Sequence, residues 1–367
     1  MAVSRELRGW TTGALLAAGV SLSGGACASS IKADEDVIFF PTSAHLDEES
    51  KTWIVPVHGW IFEPEEDAVW RTAVIEELLE QLELDPAARN DERFRERARM
   101  FLADNERGKK LEVRLGGQTF ALARSAANGH FTGRLGLRRE RLADLAGDGW
   151  LPVEAVMPEA DRRRFAGRVQ LVGPEGPSVI SDIDDTIKVS DVTDKRELLA
   201  NTFLRAFRDV PGMARAYGRW AEAGAAFHYV SSSPWQLYPA LSTFMARKGF
   251  PPGAFHLRSF RLKDRTFFDL FAAPEDSKIP TIDSILRAYP GRKFILVGDS
   301  GEKDPEIYGT ITRRHRGQVV HVFIRDVSPQ DQQGGRFAAA FSGLPDSSWT
   351  VFREPHRLTR FDIGLGE

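Results

Sequence analysis

A doubly wound α/β domain, preceded by a smaller β-rich domain with helical insertions, is the fold class this sequence predicts. Three observations predict it. In the second half of the chain PSVISDID, AAFHYVSSS, RKFILVGDS and GQVVHVFIRD are short, nearly continuous apolar runs, the composition of strands buried on both faces of a parallel sheet. Helical patterns separate them, which gives a β-then-α alternation. The first half instead carries β-branched and aromatic runs ended by Pro and Gly. With 367 residues, both domains can bury cores of their own.

The elements follow in chain order. Residues 1–28 read as a signal peptide: Arg5 and Arg8 precede the uncharged stretch TTGALLAAGVSLSGG, and Ala26-Cys27-Ala28 fits a small-x-small cleavage site. The apolar run is short for a membrane span, so the expectation is an exported chain, periplasmic or secreted, with no transmembrane helix once mature. Cys27 is the only cysteine, so the mature domains hold no disulfide. It is also a second-ranked candidate for lipid attachment, with Gly24 where such sites usually carry Leu.

Residues 31–173 form the β-rich domain. DVIFFPTSAHL and TWIVPVHGWIFEP are strand candidates, a helical pattern runs from Asp67 to Leu84, and RFRERARMFLADN is a second amphipathic stretch. KKLEVRLGGQTFALARS reads as a hairpin around Gly116-Gly117, and HFTGRLGLR and FAGRVQLVG add strands. His58 is a lone strand histidine of structural type, and no catalytic constellation is visible in this domain. The Gly/Pro cluster GPEGP, 173–177, is the linker. The α/β domain spans 177–345, with helices expected in KRELLANTFLRAF, MARAYGRWAEAG, PWQLYPALSTFMARKG and KIPTIDSILRAYPG. In the tail, 346–367, SSWTVFRE offers one more edge strand.

Open parallel sheets bind ligands outside the carboxyl ends of their strands. Here the first strand ends in Asp182-Ile183-Asp184-Asp185-Thr186, the second in Ser231-Ser232-Ser233, and the third in Gly298-Asp299-Ser300-Gly301, with Lys278 just before the helix leading into the third. Such crowded carboxylates suit a hard cation, and Asp299 and Asp304 would complete with Asp182 an oxygen-rich Mg²⁺ site. Asp182 is also a candidate nucleophile, since carboxylates form aspartyl-phosphates. A solvated acidic turn capping the next helix is the plainer alternative. An EF-hand is excluded, because Ile187 and Thr193 stand where Gly and Glu are required. Ser233-Pro234 has the form of a helix cap, which leaves Ser231 as a phosphate-oxygen donor at a helix start. A lysine at a helix N-terminus opposes the helix dipole, so Lys278 calls for a nearby anion, unless it is a surface lysine with its head in water.

DxDxT, a Ser after the second strand, a Lys and a GD…D pair, in this order, resemble the motifs of the haloacid dehalogenase-like phosphatase superfamily, with its Rossmann-like fold. SDIDDTIK, YVSSSPWQLYP, SKIPTID and GDSGEKDPEIYG are similar to the catalytic domain of the actin-patch-protein type of phosphatidate phosphatases, and VHGWIFEPE to a segment of the N-terminal domain in bacterial members. The resemblance implies Asp182 as nucleophile and Asp184 as acid/base, with Thr186 steadying the loop. Ser231, with Ser232 beside it, and Lys278 would hold phosphoryl oxygens. Mg²⁺ would be held by Asp182, Asp299 and the Asp184 backbone carbonyl, with Asp304 a further ligand or acting through water, while Asp185 has no implied role. A phosphatidate substrate at a membrane surface is implied as well. Arg258, Arg261, Lys263 and Arg265 would then meet its headgroup, and Phe260, Phe267, Phe268 and Phe271 its chains, in a cap; a hairpin with core phenylalanines is the alternative for 256–271. A soluble phosphomonoester, a sugar acceptor or a non-catalytic lipid-phosphate-binding module are the other readings; the last is opposed by the presence of Asp184. A net charge of −3 gives no reason to expect nucleic acid.

Overall fold

The computed structural model describes residues 29–64, 80, 91–142, 148–260, 278–327 and 334–363. The leader, the helix expected over 67–84 (Glu80 apart), and Arg261, Lys263, Arg265, Phe267, Phe268 and Phe271 lie outside the described residues.

The N-terminal half is a mixed nine-stranded sheet. Its strands are β1 (Asp36–Phe40), β2 (Thr42–Asp47), β3 (Thr52–Glu63), β4 (Asp104–Asn105), β5 (Glu112–Leu115), β6 (Gln118–Ala121), β7 (His130–Arg138), β8 (Trp150–Ala155) and β9 (Ala166–Val172). Pro41 divides the first predicted strand into β1 and β2, since it brings no N–H to a ladder. The hairpin at Gly116-Gly117 forms, with both glycines at positive φ, 57° and 73°, as a two-residue turn between right-twisted strands requires. β8 went unread in the sequence, where WLPVEA is too short and too mixed to stand out. Helix α1 (Glu92–Leu102) starts where Asp91 accepts a hydrogen bond from Phe94 N.

The second half is a six-stranded, all-parallel sheet. Its strands are β10 (Pro177–Ser181), β13 (Ala226–Pro234), β14 (Ala254–Arg258), β15 (Lys293–Asp299), β16 (Val319–Arg325) and β17 (Trp349–Phe352), in the spatial order β14-β13-β10-β15-β16-β17. In order of appearance that is 3-2-1-4-5-6, the doubly wound arrangement, and the strand order reverses between β10 and β15. Alternation sends Val179, Phe227, Ile295 and Val297 to one buried face and Ile180, Val230, Phe294 and Leu296 to the other. A small hairpin of β11 (Lys188–Val189) and β12 (Arg208–Asp209) follows β10. Helices α2 (Lys195–Phe203), α3 (Met213–Glu222), α4 (Tyr238–Lys248), α5 (Lys278–Ala288) and α6 (Asp304–Arg314) cover the sheet.

One part of the basic-aromatic stretch departs from the cap reading. His256, Leu257 and Arg258 lie in β14, an edge strand of the main sheet, and Phe260 is buried in the core rather than facing a ligand. Two residues after β14, that phenylalanine gains more from burial than from any surface role.

The two halves share one apolar cluster, in which Phe40, Trp60, Phe94 and Phe101 join Phe203, Trp235 and Phe260. Phe40 stacks on Trp235 with ring centroids 4.1 Å apart. Phe255 N donates to Pro41 O across the junction. Arg97 lies over the Phe207 ring and donates to Thr202 O at 2.6 Å and Arg205 O at 2.9 Å, satisfying carbonyls at the end of α2. Arg292 ties down the linker by donating to Gly173 O, Glu175 O and Pro177 O. Replacing Arg97 with Leu strands those α2 carbonyls, so the urea midpoint should fall by an amount equivalent to roughly 2–3 kcal/mol.

Candidate active site

The strand reversal between β10 and β15 leaves a crevice at their carboxyl ends, and four acidic residues enter it. Asp182 follows β10, its N–H held by Val297 O at 2.9 Å. Asp299 ends β15, Glu302 lies in the next turn, and Asp304 opens α6. Gly298 permits the approach: a Cβ there would sit 2.3 Å from Asp304 Oδ2.

Lys278, first residue of α5, points into this acidic group and is buried. Its Nζ lies 2.9 Å from Asp182 Oδ1, 2.7 Å from Asp304 Oδ1 and 3.1 Å from Glu302 Oε2. Burial alone would discharge this lysine, but Asp182, Asp304 and Glu302 outweigh it and raise its pKa. Its placement against the helix dipole thus has a local anion to offset it.

A single ammonium does not balance the group. Burial raises the Asp182 carboxyl well above its usual range; Lys278 opposes the shift, while Asp304, Glu302 and Asp184 add to it. Asp299 is raised likewise by burial, then by Asp304 and Asp182. Asp299 Oδ1 accepts from Gly301 N at 2.6 Å, whereas its Oδ2 is buried with no hydrogen-bond partner among the described residues. Asp182, Asp299 and Asp304 each bring an oxygen within 4.8 Å of the others. Three converging carboxylates, one with an orphaned oxygen, fit a hard divalent cation.

The second half of the same loop faces elsewhere. Asp184 Oδ1 lies 2.7 Å from Lys188 Nζ and accepts from Ser190 Oγ; its Oδ2 accepts from Ser233 Oγ at 2.7 Å and Ser231 Oγ at 3.1 Å. Burial pushes the Asp184 carboxyl up, but the Lys188 charge and the bonds from Lys188, Ser233 and Ser190 hold it at about 2. Its side chain therefore stands apart from the three-carboxylate group. Thr186 Oγ1 donates to Asp182 Oδ2 at 3.1 Å and links the two halves.

Ser233 corrects the capping expectation. It belongs to β13 and its hydroxyl donates to Asp184, while Pro234 stands at the cap of the turn at Trp235, which has no side-chain cap. Ser231 reaches the same carboxylate, while Ser232, half-buried between them, makes no bond to it, as strand alternation requires. Arg258, at the carboxyl end of β14, pairs in register with Pro234 and lies near the Phe260 ring.

Asp185 acquires a place. Its φ is 52°, and its carboxylate accepts from Ser190 N, Asp191 N and Val192 N at 2.8, 3.0 and 2.7 Å. Arg325, at the end of β16, donates to its carbonyl at 2.5 Å. Asp185 therefore folds the segment after it back toward the crevice. Lys188, Ser190, Glu302 and Arg325 were missed in the sequence; Lys188 carried a weak signal, as a lysine four residues after Asp184.

Replacing Lys188 with Met leaves the buried Asp184 carboxylate without its counter-charge. A stability loss of about 3–5 kcal/mol at neutral pH is expected, read by urea denaturation. The sign with pH follows from the depressed carboxyl: the stabilisation is present above the usual aspartate range and lost as pH falls toward about 2. The variant should therefore approach the parent in stability under acid conditions.

Residues 177–326 match the family described as "Phosphatidate phosphatase APP1, catalytic domain". A Saccharomyces cerevisiae protein, phosphatidate phosphatase APP1, is 37% identical over 158 residues, 42% of this chain and 26% of that protein. An uncharacterized Schizosaccharomyces pombe protein is 31% identical over 184 residues, 48% of this chain and 30% of that protein. The chain thus matches under a third of either relative's length. A crystal structure of D,D-heptose 1.7-bisphosphate phosphatase from B. bronchiseptica, complexed with magnesium and phosphate, aligns over 50% of this chain and 94% of its own at 16% identity, with a TM-score of 0.30. The matched stretch, 177–326, holds every residue of the crevice described above.

Proposed function

We propose that this chain is a Mg²⁺-dependent phosphatase that works through an aspartyl-phosphate, with phosphatidate as substrate. The observation that carries the reading is the partition of one loop: Asp182 faces the carboxylate group and Lys278, and Asp184 faces the serines. Asp182, Asp299 and Asp304, with the Asp184 carbonyl, are the residues to hold the metal. When bound, Mg²⁺ supplies charge neutralisation for the carboxylates and the phosphoryl oxygens.

The chain's own residues then act in two halves. An Asp182 oxygen forms a bond to phosphorus while the bond to the leaving oxygen breaks, and that oxygen takes a proton from Asp184. In the second half Asp184 removes a proton from water, whose oxygen bonds to phosphorus as the Asp182–phosphorus bond breaks and phosphate leaves. Lys278 and the Ser231 hydroxyl hold the non-transferring oxygens against the charge that develops on them. Asp184 as described here is ionised, the form the second half needs. To act as an acid it must first loosen from Lys188.

The phosphatidate assignment draws on the family description, and export of the chain on its basic-then-apolar leader. No helix among the described residues is long and apolar enough to cross a membrane, so a lipid substrate would be met at a surface.

With Mg²⁺ present, phosphate release from phosphatidate in detergent micelles should fall roughly 10³-fold or more in Asp182→Asn, with the circular dichroism spectrum kept. Undiminished turnover would remove Asp182 as the nucleophile, and faster hydrolysis of water-soluble phosphomonoesters would displace the lipid. A second expectation concerns pH without metal. The raised carboxyls of Asp182 and Asp299 favour the protonated forms, so that contribution to stability is present in acid and lost as pH rises through their shifted values. Mg²⁺ should therefore raise the melting temperature more at pH 8 than at pH 5, as read by scanning calorimetry.

A further inference from the structure

A cleft separate from the crevice lies where the two domains meet. One wall is a row across the N-terminal sheet: His45 on β2 pairs with Ile54 on β3, and Pro56 on β3 pairs with Arg134 on β7. Directly paired residues and their i+2 neighbours share a face, so these side chains stand together. The other wall is α5, whose Ser284, Arg287 and Ala288 fall at the three- and four-residue spacing of one helical face. His256 of β14 closes the floor, and Tyr289 OH donates to Ala44 O at 3.3 Å beside it. The cavity between the walls is about 430 Å³.

Its chemistry is one-sided. Arg134 comes from one domain and Arg287 from the other, and no carboxylate lines the cavity among the described residues. Both arginines are exposed, and neither has an ion-pair partner among the described residues. His256 Nε2 is buried there with no hydrogen-bond partner among the described residues, and behind it both ring nitrogens of His228 are likewise unsatisfied. Buried polar atoms without partners are costly, and the His256 ring also lines the cleft, which makes it the nearest reporter of what the cleft holds. Two guanidinium groups on facing walls select an anion over water, and planar bidentate donors suit a phosphate or phosphomonoester group.

We propose that this interdomain cleft is a second, non-catalytic site for a phosphate group, clasped between Arg134 and Arg287 with His256 beneath. Lys278 is nine residues back along α5, about 13 Å at the helical rise, so occupancy of the cleft leaves the crevice free. A group held by both walls also fixes the two domains against each other, since it binds only their docked arrangement.

The test is histidine-resolved NMR of the whole chain in Mg²⁺-free buffer with inorganic phosphate as probe. Saturable shifts of the His45 and His256 ring signals are expected, assigned through His45→Ala and His256→Ala. In Arg134→Ala/Arg287→Ala the apparent affinity should weaken at least tenfold. Both arginines are exposed and outside the crevice, so phosphatidate hydrolysis in micelles should be unchanged, which keeps this result distinct from failure of the phosphatase reading. Flotation with phosphatidate-containing against phosphatidylcholine-only vesicles then identifies the source. Loss of vesicle binding in the double variant assigns a lipid headgroup, and unchanged flotation with a lost phosphate response assigns a free phosphate-bearing solute. Absence of ring shifts, or equal shifts in the double variant, would overturn the proposal.

Discussion

The constraint on which the rest of this structure depends is the burial of several carboxylates at one point of strand reversal. Asp182, Asp299, Glu302 and Asp304 share a crevice with one ammonium, and like charges at such spacing drive protons on or demand a cation. The chain answers with backbone rather than bulk. Gly298 lets Asp304 close over β15, and N–H groups of the Gly301 turn occupy one oxygen of Asp299. Lys278 enters along α5 against the helix dipole. The orphaned second oxygen of Asp299 marks where this compensation ends.

The same loop avoids a still larger concentration of charge by facing two ways. Asp182 looks toward Lys278, while Asp184 is drawn aside by Lys188 and three hydroxyls. Asp185 makes this possible from a left-handed backbone position, gathering the next N–H groups on its carboxylate while Arg325 holds its carbonyl. The N-terminal domain supports the arrangement from behind. Phe40 stacks on Trp235, two residues beyond Ser233, so the apolar junction between domains also braces the strand that presents the serines.

Much of this was legible in the sequence because it depends on local pattern. Doubly buried strands announce themselves as apolar runs, and the polar residues ending them were visible as DIDDT, SSS and GDS. β17 was readable as an edge strand, and its parallel pairing with β16 makes it the sixth strand of the sheet. β14 was legible only within a stretch read as a cap or as a hairpin with core phenylalanines, because His256 and Arg258 break its apolar run; the buried Phe260 fits the second reading. The division between Asp182 and Asp184 was also hidden, since side chains two apart on an extended strand should share a side, and only the turn at Asp185 separates their partners. Ser233 misled for a related reason. Ser-Pro has the form of a cap, but the Ser233 hydroxyl donates to the buried Asp184 carboxylate instead of accepting from a helix N–H. The interdomain cleft left no trace in the sequence, since its walls are 153 positions apart, from Arg134 to Arg287, and meet only on docking.

Under the proposed function, the hydroxyl of Ser231 carries a consequence that follows from counting its single proton. In the structure it donates to Asp184 Oδ2 and accepts from Ser233 N. A phosphoryl oxygen that takes this donor removes one of the bonds that keep Asp184 ionised. Desolvation already opposes that charge, so each bond removed moves the carboxyl toward the protonated form that the first half of the reaction requires. Departure of phosphate returns the hydroxyl and restores the carboxylate. Substrate occupancy thus takes one hydrogen bond from the carboxylate, while Lys188, Ser233 and Ser190, the groups that hold it down, must also give way before it acts as an acid.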